Sequence, residues 1–308
     1  MLVLANVFWG ISFPLIKAVA LEHQRLLPGS NSWYVSACML APRFFLAAAI
    51  MGLFWRGRLR AITGRELRQG LGLAAFAVLG MFFQNDGLQY TAASTSAFLT
   101  QLYVVIIPAW FAIRRRHLPP LAVWLACALV LAGTGTLAQL DWHRLNLGRG
   151  EIETLISSLF FAGQIMLLSR PGYSANRPLP VTFVMFLAEG AVSLIMIASL
   201  KPGLGALGTL GTSAPWWAFT MGLTLFCTLG AFTLMNTWQP RITATEAGLI
   251  YCLEPVFASL LALCLPGLLS RWAGFDYANE SLTISLLTGG GLITAANVLI
   301  QVKPMQKD

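Results

Sequence analysis

Lys17, Arg43, Asp86, Glu189, Glu246 and Glu254 stand within, or at the ends of, stretches that otherwise carry almost no charge. If those stretches are helices in lipid, an ionised side chain at depth costs about 2.5 to 3.5 kcal/mol and needs a partner or a task. Lys17 and Glu246 lie near the ends of their stretches and can reach water along their own stems. Arg43 falls about 12 Å below one surface by helical rise, and Asp86 near the same surface, so the two are expected as a structural ion pair. Glu189, midway along VTFVMFLAEGAVSLIMIASL, has only small and apolar neighbours and is a candidate for carrying a proton. Glu254 is the sharpest case: Pro255 lacks an N–H, leaves the Tyr251 carbonyl without its helical donor and kinks the chain beside a carboxyl group. It is the first candidate for proton coupling or for meeting a solute's charge.

Polar and aromatic groups gather around that kink. The first stretch offers Trp9, Ser12 and Phe13; the third Gln84, Asn85 and Gln89; the fourth Thr100, Gln101 and Tyr103. The second half adds Gln164, Asn236 and Tyr251 to Glu254. Aromatic walls with a few amides and hydroxyls are how small-molecule pockets grip and orient a ligand. Singly, each of these residues can also serve as a hydrogen-bonding link between helices.

Other chemistries find no residues. The four lysines follow Ile16, Leu200, Val302 and Gln306, so none closes a Gly-rich phosphate loop. His23, His117 and His143 fall in connections without an H-E-x-x-H pattern, and no metal or other cofactor is expected. Gly10-Ile11-Ser12-Phe13 lacks the form of a nucleophile elbow, so the chain is not read as an enzyme. The net charge of +8 is spread between apolar stretches rather than along one aromatic-studded stripe, which argues against nucleic acid as a partner. Five cysteines all fall in apolar segments, where they read as packing residues and not as a disulfide framework.

The elements that must hold these groups are set by solvent. The chain is 57% hydrophobic and 10% charged, with a mean hydropathy of +0.71. In hydrocarbon every backbone N–H and C=O must be paired internally, and uninterrupted apolar runs of about 20 residues select helices over barrel strands. Ten spans are expected, at 2–21, 35–55, 70–89, 93–113, 119–138, 151–169, 181–200, 215–235, 245–266 and 282–301. Pro119-Pro120, Pro180 and Pro215 mark beginnings; Pro240 and Pro266-Gly267 mark ends. The first stretch resembles a signal peptide in length, but it has no basic leading segment, and Asn6, Pro14 and Lys17 interrupt it. One set of alternate loops holds 13 Lys and Arg against 5 in the other, which places both termini in the cytoplasm.

The two halves echo each other around a connector at 139–150, giving units 1–138 and 151–308. Phe8-Trp9-Gly10 answers Phe161-Ala162-Gly163, and Ala93 to Val105 can be laid on Ala244 to Val256, with Tyr103 opposite Glu254. Five spans per half brings the second unit in upside down, so the repeats are inverted, with a site expected where their interrupted helices meet. Pro108 and Pro255 are read as the paired interruptions. Small residues form a face at Ala128, Ala132 and Gly135 and another at Gly291 and Ala295, suited to close packing inside the molecule or to a homodimer through the fifth and tenth helices.

FWGISFPLIK, Arg43 early in the second span, Tyr90 to Pro108, and TATEAGLIYCLEPVFASLLA together resemble the EamA-type, ten-helix branch of the drug/metabolite transporter superfamily. Leu253-Glu254-Pro255-Val256 is the strongest single motif, and the likeness covers almost the whole chain. The resemblance implies an all-α integral membrane fold of two inverted five-helix repeats. It implies a cavity walled by the first, third, fourth, sixth, eighth and ninth helices. Members of that family move amino acids, other metabolites or organic cations, often outward, without hydrolysing ATP. The resulting expectation is a secondary transporter of a bacterial inner membrane that works by alternating access, in contact with membrane lipids and a small-molecule substrate. The rival is a passive channel or facilitator for small solutes.

Overall fold

A computed structural model of the chain describes residues 1–87, 90–91, 93–116, 118–139 and 147–302, with the backbone alone for 93–95, 97, 301 and 302. Every regular element among them is helical. In order they are α1 (Leu2–Leu26), α2 (Ser32–Phe54), α3 (Gly64–Gly87), α4 (Ala93–Thr100), α5 (Tyr103–Arg115), α6 (Leu121–Leu137), α7 (Arg149–Leu168) and α8 (Pro178–Ser199). The five-residue α9 (Leu207–Gly211) is followed by α10 (Ala214–Gly222), a π-helical stretch (Leu223–Gly230), α11 (Ala231–Trp238), α12 (Ala244–Tyr251), α13 (Glu254–Ala262), α14 (Leu265–Ala273) and α15 (Ile284–Val302).

Eight runs are long and apolar enough to cross a bilayer: α1, α2, α3, Phe98–Arg115, α7, α8, Ala214–Arg241 and Ala244–Ala262. The two shorter apolar helices, Leu121–Leu137 and Ile284–Ile300, fall where the fifth and tenth spans were expected. A helix hydrogen-bonds its own backbone, so it survives without water.

Element boundaries depart from expectation where capping chemistry decides them. The third helix opens earlier than residue 70 because Thr63 and Glu66 form a reciprocal cap: the Thr63 N–H donates to Glu66 Oε2 at 2.8 Å and the Glu66 N–H to Thr63 Oγ1 at 3.2 Å. Thr243 and Glu246 repeat the device at the start of α12, which gives Glu246 a structural role. The ninth run ends at Ala262 rather than 266, and Pro266 sits in the first turn of α14, where its missing N–H leaves no bond unmade.

The interruption expected at Pro108 lies elsewhere. Pro108 is inside α5, and the chain breaks upstream at Gln101–Leu102, where the Gln101 N–H reaches Phe98 C=O at 3.1 Å and the Leu102 N–H reaches Leu99 C=O at 3.2 Å. These are tightened i→i+3 turns. The Val104 carbonyl, which Pro108 deprives of its helical donor, is met instead by Cys127 Sγ at 3.2 Å. In the second half the matching turns are Cys252 N–H to Leu249 C=O at 3.2 Å and Leu253 N–H to Ile250 C=O at 3.1 Å, directly before Glu254-Pro255.

Between apolar helices in lipid, close backbone approach replaces hydrophobic burial as the source of attraction. A Cβ on Gly10 would lie 2.8 Å from Phe257 Cβ and 2.9 Å from the Ala258 nitrogen, so α1 and α13 touch along their backbones. At Gly133 and Gly289 each added Cβ would meet the other's carbonyl, at 2.8 and 2.6 Å, which seats α6 on α15 within the molecule. Gly135 is buried, while Ala128, Ala132, Gly291 and Ala295 face outward. The remaining main pairings set α2 on α8, α3 on both α7 and α8, α4 and α5 on α7, and α1 on the α10–α11 run.

Candidate functional site

The breaks at 101–102 and 252–253 stand beside a cavity of about 120 Å³ in the middle of the bundle. Its walls include Trp9, Ser12, Gln84, Asn85, Thr100, Tyr103, Gln164, Tyr251 and Glu254 from the sequence-derived set. Phe13, Gln101 and Asn236 do not line it. Asn236 is buried and donates to Thr182 Oγ1 at 2.9 Å, so it ties α11 to α8. Gln101 sits at the break with its Oε1 buried and without a partner among the described residues. Gln89 lies outside the described residues.

One aromatic corner is built by packing. The Trp9 ring stands edge-on to Tyr251 at 5.3 Å between centroids and to Phe232 at 5.6 Å, and Phe232 in turn abuts Phe44 and Phe186 at 6.2 Å each. Tyr251 is further fixed by its hydroxyl, which donates to Gln239 Oε1 at 2.8 Å. Gln239 Nε2 then donates to Ile165 C=O at 2.7 Å and to Ser169 Oγ at 2.9 Å, anchoring the ring to α7. On the opposite wall Gln84 Nε2 donates to Thr100 Oγ1 at 3.2 Å, and Thr100 Oγ1 to Ser96 C=O at 2.8 Å. The Gln164 amide nitrogen is buried at the cavity wall without a partner among the described residues.

Arg43 is the cavity's cationic residue, and its surroundings differ from the ion pair expected for it. Its Nη2 donates to Cys227 C=O at 3.3 Å and its Nε to Thr228 Oγ1, so it clasps the π-helical stretch. Widened π turns of this kind recur at functional sites. Asp86 instead accepts from Arg149 Nη2 at 2.5 Å and from the Ser32 hydroxyl. Ser32 opens α2, and Arg43 lies eleven residues further on, about 16 Å along the axis, too far to share that carboxylate. Arg149 also reaches Glu153 Oε1 at 2.8 Å and stacks 4.2 Å from the centre of the Tyr90 ring.

Glu254 opens α13 at the cavity wall, half-buried, with no hydrogen bond or ion pair among the described residues. Glu189 is fully buried in α8, with neither carboxylate oxygen partnered among the described residues, within electrostatic range of Arg43 but not on the cavity wall. Lys17 faces outward, its Nζ 5.1 Å from the centre of the Tyr277 ring. Sequence reasoning missed Arg43 as a wall residue, along with the apolar contributors Met39, Met81, Phe161, Phe232 and Met235. Nothing in an apolar residue's type separates a cavity wall from a helix contact. For Arg43 the signal was present, a cation at depth, but its partner was misassigned.

Residues 1–138 match the EamA-like transporter family. Two relatives from Archaeoglobus fulgidus, both described as uncharacterized transporters, are similar: one is 23% identical over 86% of this chain and 76% of its own, the other 26% identical over 76% of each. A solved crystal structure superposes with a TM-score of 0.63 at 16% identity, covering 96% of both chains, a likeness of fold. The apolar helices make this a multi-pass membrane protein, and the match over residues 1–138, together with similar proteins described as transporters that span both halves, supports a relationship to the EamA-type transporters.

Proposed function

We propose that the chain is a secondary carrier that exposes one central cavity alternately to the two sides of a bacterial inner membrane, with both termini in the cytoplasm. The observation that carries this reading is the correspondence of the two helix breaks. Gln101-Leu102 and Cys252-Leu253 occupy matching positions when Ala93 to Val105 is laid on Ala244 to Val256, and both stand beside the cavity. Paired broken helices at a repeat interface are the sequence and structural signature of a transport site.

The packing pattern supports ten spans in two inverted units, 1–138 and 151–308. Each main pairing keeps a counterpart when every span is exchanged for the one five places away. The pairs α2·α8 and α6·α15 exchange into themselves. Exchange turns α3·α7 into the α10–α11 run against α1, α3·α8 into that run against α2, and α4–α5 on α7 into α12–α13 on α1. Two arrangements of nearly equal energy, one open to each side, follow from such symmetry.

The cavity wall holds one basic and one acidic side chain, Arg43 and Glu254, among aromatic rings and amides. That supports a solute with a cationic and an anionic group, an amino acid-like metabolite, ahead of a simple organic cation. Outward movement is the direction the family resemblance supports. Glu254 supplies charge complementarity or proton linkage. The test is solute uptake and counterflow in reconstituted vesicles with Glu254→Gln and Glu254→Ala. A fall of at least tenfold, or a flattened pH dependence, is expected; unchanged uptake and pH profile in both variants removes Glu254 from the mechanism. A passive pore would show neither saturation nor stimulation by solute on the far side.

A further inference from the structure

A second cavity, sharing no lining residue with the first, lies where α3 begins and α7 ends, lined by Arg65, Arg68, Arg170, Gly172 and Tyr173. Arg65 and Arg68 are three residues apart in the first turns of α3 and so share one helix face. Arg170 and Tyr173 come from the turn after α7, which contains the 3-10 segment Pro171–Tyr173. None of the three guanidinium groups has an ion pair or a side-chain hydrogen bond among the described residues.

Two fixed contacts bring this turn against α3. Asn176 Nδ2 donates to Gln69 Oε1 at 2.8 Å, and Arg177 forms a fork with Glu66, at 2.7 and 2.9 Å to its two oxygens. Arg177 Nη2 also donates to Ala61 C=O at 2.9 Å, which draws the preceding loop into the same clasp. Glu66 is the one acidic residue between Arg56 and Gln69 or between Ser169 and Pro178, and it is consumed by Arg177 and by the helix cap. The fold therefore fastens three like charges around one hollow and spends the local counter-charge elsewhere. Like charges held together in this way repel, and a bound anion with several acceptor oxygens converts that repulsion into attraction.

We propose that this hollow is a binding site for one phosphate group, that of an anionic phospholipid headgroup or of a soluble phosphate ester, at the membrane boundary. Arginine forks match phosphate oxygens in a bidentate way, the Tyr173 hydroxyl adds a neutral donor, and Gly172 leaves room beside the backbone. The place in the fold favours the lipid, since both contributing helices are spans and their ends lie where headgroups lie. The site stands apart from the transport cavity and does not depend on what that cavity carries.

The experiment measures lipid retained by the purified full chain after exchange into nanodiscs of phosphatidylglycerol mixed with phosphatidylcholine, read by native mass spectrometry, and in parallel the binding of inorganic phosphate to the delipidated protein. The test variant is Arg65→Gln, Arg68→Gln and Arg170→Gln together. The control removes the same charge outside the hollow with Arg56→Gln, Arg114→Gln and Arg116→Gln. Preferential retention of phosphatidylglycerol is expected, weakened about fivefold per arginine and so roughly a hundredfold in the test variant, with the control close to the parent. Phosphate binding without lipid preference, lost in the same test variant, would uphold the phosphate site and make its occupant a soluble anion. Equal losses in test and control variants, or no preference of either kind, would overturn the proposal.

Discussion

At the scale of single residues, side chains at helix contacts and helix caps have definite structural roles, while the cavity's ionisable groups are left open. Gly10 illustrates the first kind. Its position in Phe8-Trp9-Gly10 puts the α1 backbone against Phe257 and Ala258, and Trp9 can face Tyr251 and Phe232 only if that approach is kept. Gly10→Ala should destabilise the protein by about 1 to 3 kcal/mol through overpacking. Gly291→Ala, where no atom lies within 4 Å of the added carbon, should be neutral. Thermal unfolding in detergent compares them, and equal midpoints would refute the contact. Arg43 illustrates the second kind. The depth of this cation was legible in the sequence, but its partners were not, because Cys227 and Thr228 belong to a π-helical stretch more than 180 residues away. Arg43→Lys keeps the charge and loses the fork, so it should impair solute binding by about tenfold or more while leaving the chain folded. Wild-type affinity in this variant would show that the guanidinium serves packing alone.

At the scale of elements, the long apolar runs were legible because lipid excludes charge, and no competing signal of that strength exists in the chain. Their ends were less so. The T-x-x-E pattern at Thr63 to Glu66 and Thr243 to Glu246 was the available clue to two helix starts, and hydropathy alone overlooks it. Thr243→Ala should cost α12 about 1 kcal/mol, seen as a lowered unfolding midpoint; no shift would mean the cap is redundant. The break in the first half was illegible because Thr100-Gln101-Leu102-Tyr103 contains neither proline nor glycine. Local propensity does not bend the chain there, so tertiary packing must, and Pro108 attracted an interruption that the structure places upstream. Pro108→Ala should accordingly leave transport within about twofold, whereas Pro255→Ala, which restores a donor at the break beside Glu254, should slow it about tenfold. Equal effects of the two would contradict the assignment of the break to 101–102.

At the scale of the whole molecule, α3 is fastened at both ends to the second half. Near its start Glu66 holds Arg177, just ahead of α8, and near its end Asp86 holds Arg149, at the head of α7. Between these clasps lie Met81, Gln84 and Asn85 on the cavity wall. A carrier that alternates cannot keep both ends closed throughout its cycle, so each clasp should bias access from its own side. With the exposed Cys264 replaced by serine, a Ser12→Cys probe in the cavity can report this through a membrane-impermeant thiol reagent added to one side of vesicles. Arg149→Gln should raise labelling several-fold from the side of the Asp86 clasp and lower it from the other, and Arg177→Gln should do the reverse. Opposite shifts from two substitutions at opposite ends of one helix require a single equilibrium between two closed-on-one-side states. A pore would gain labelling from both sides with either substitution, and that result would replace the carrier with a channel.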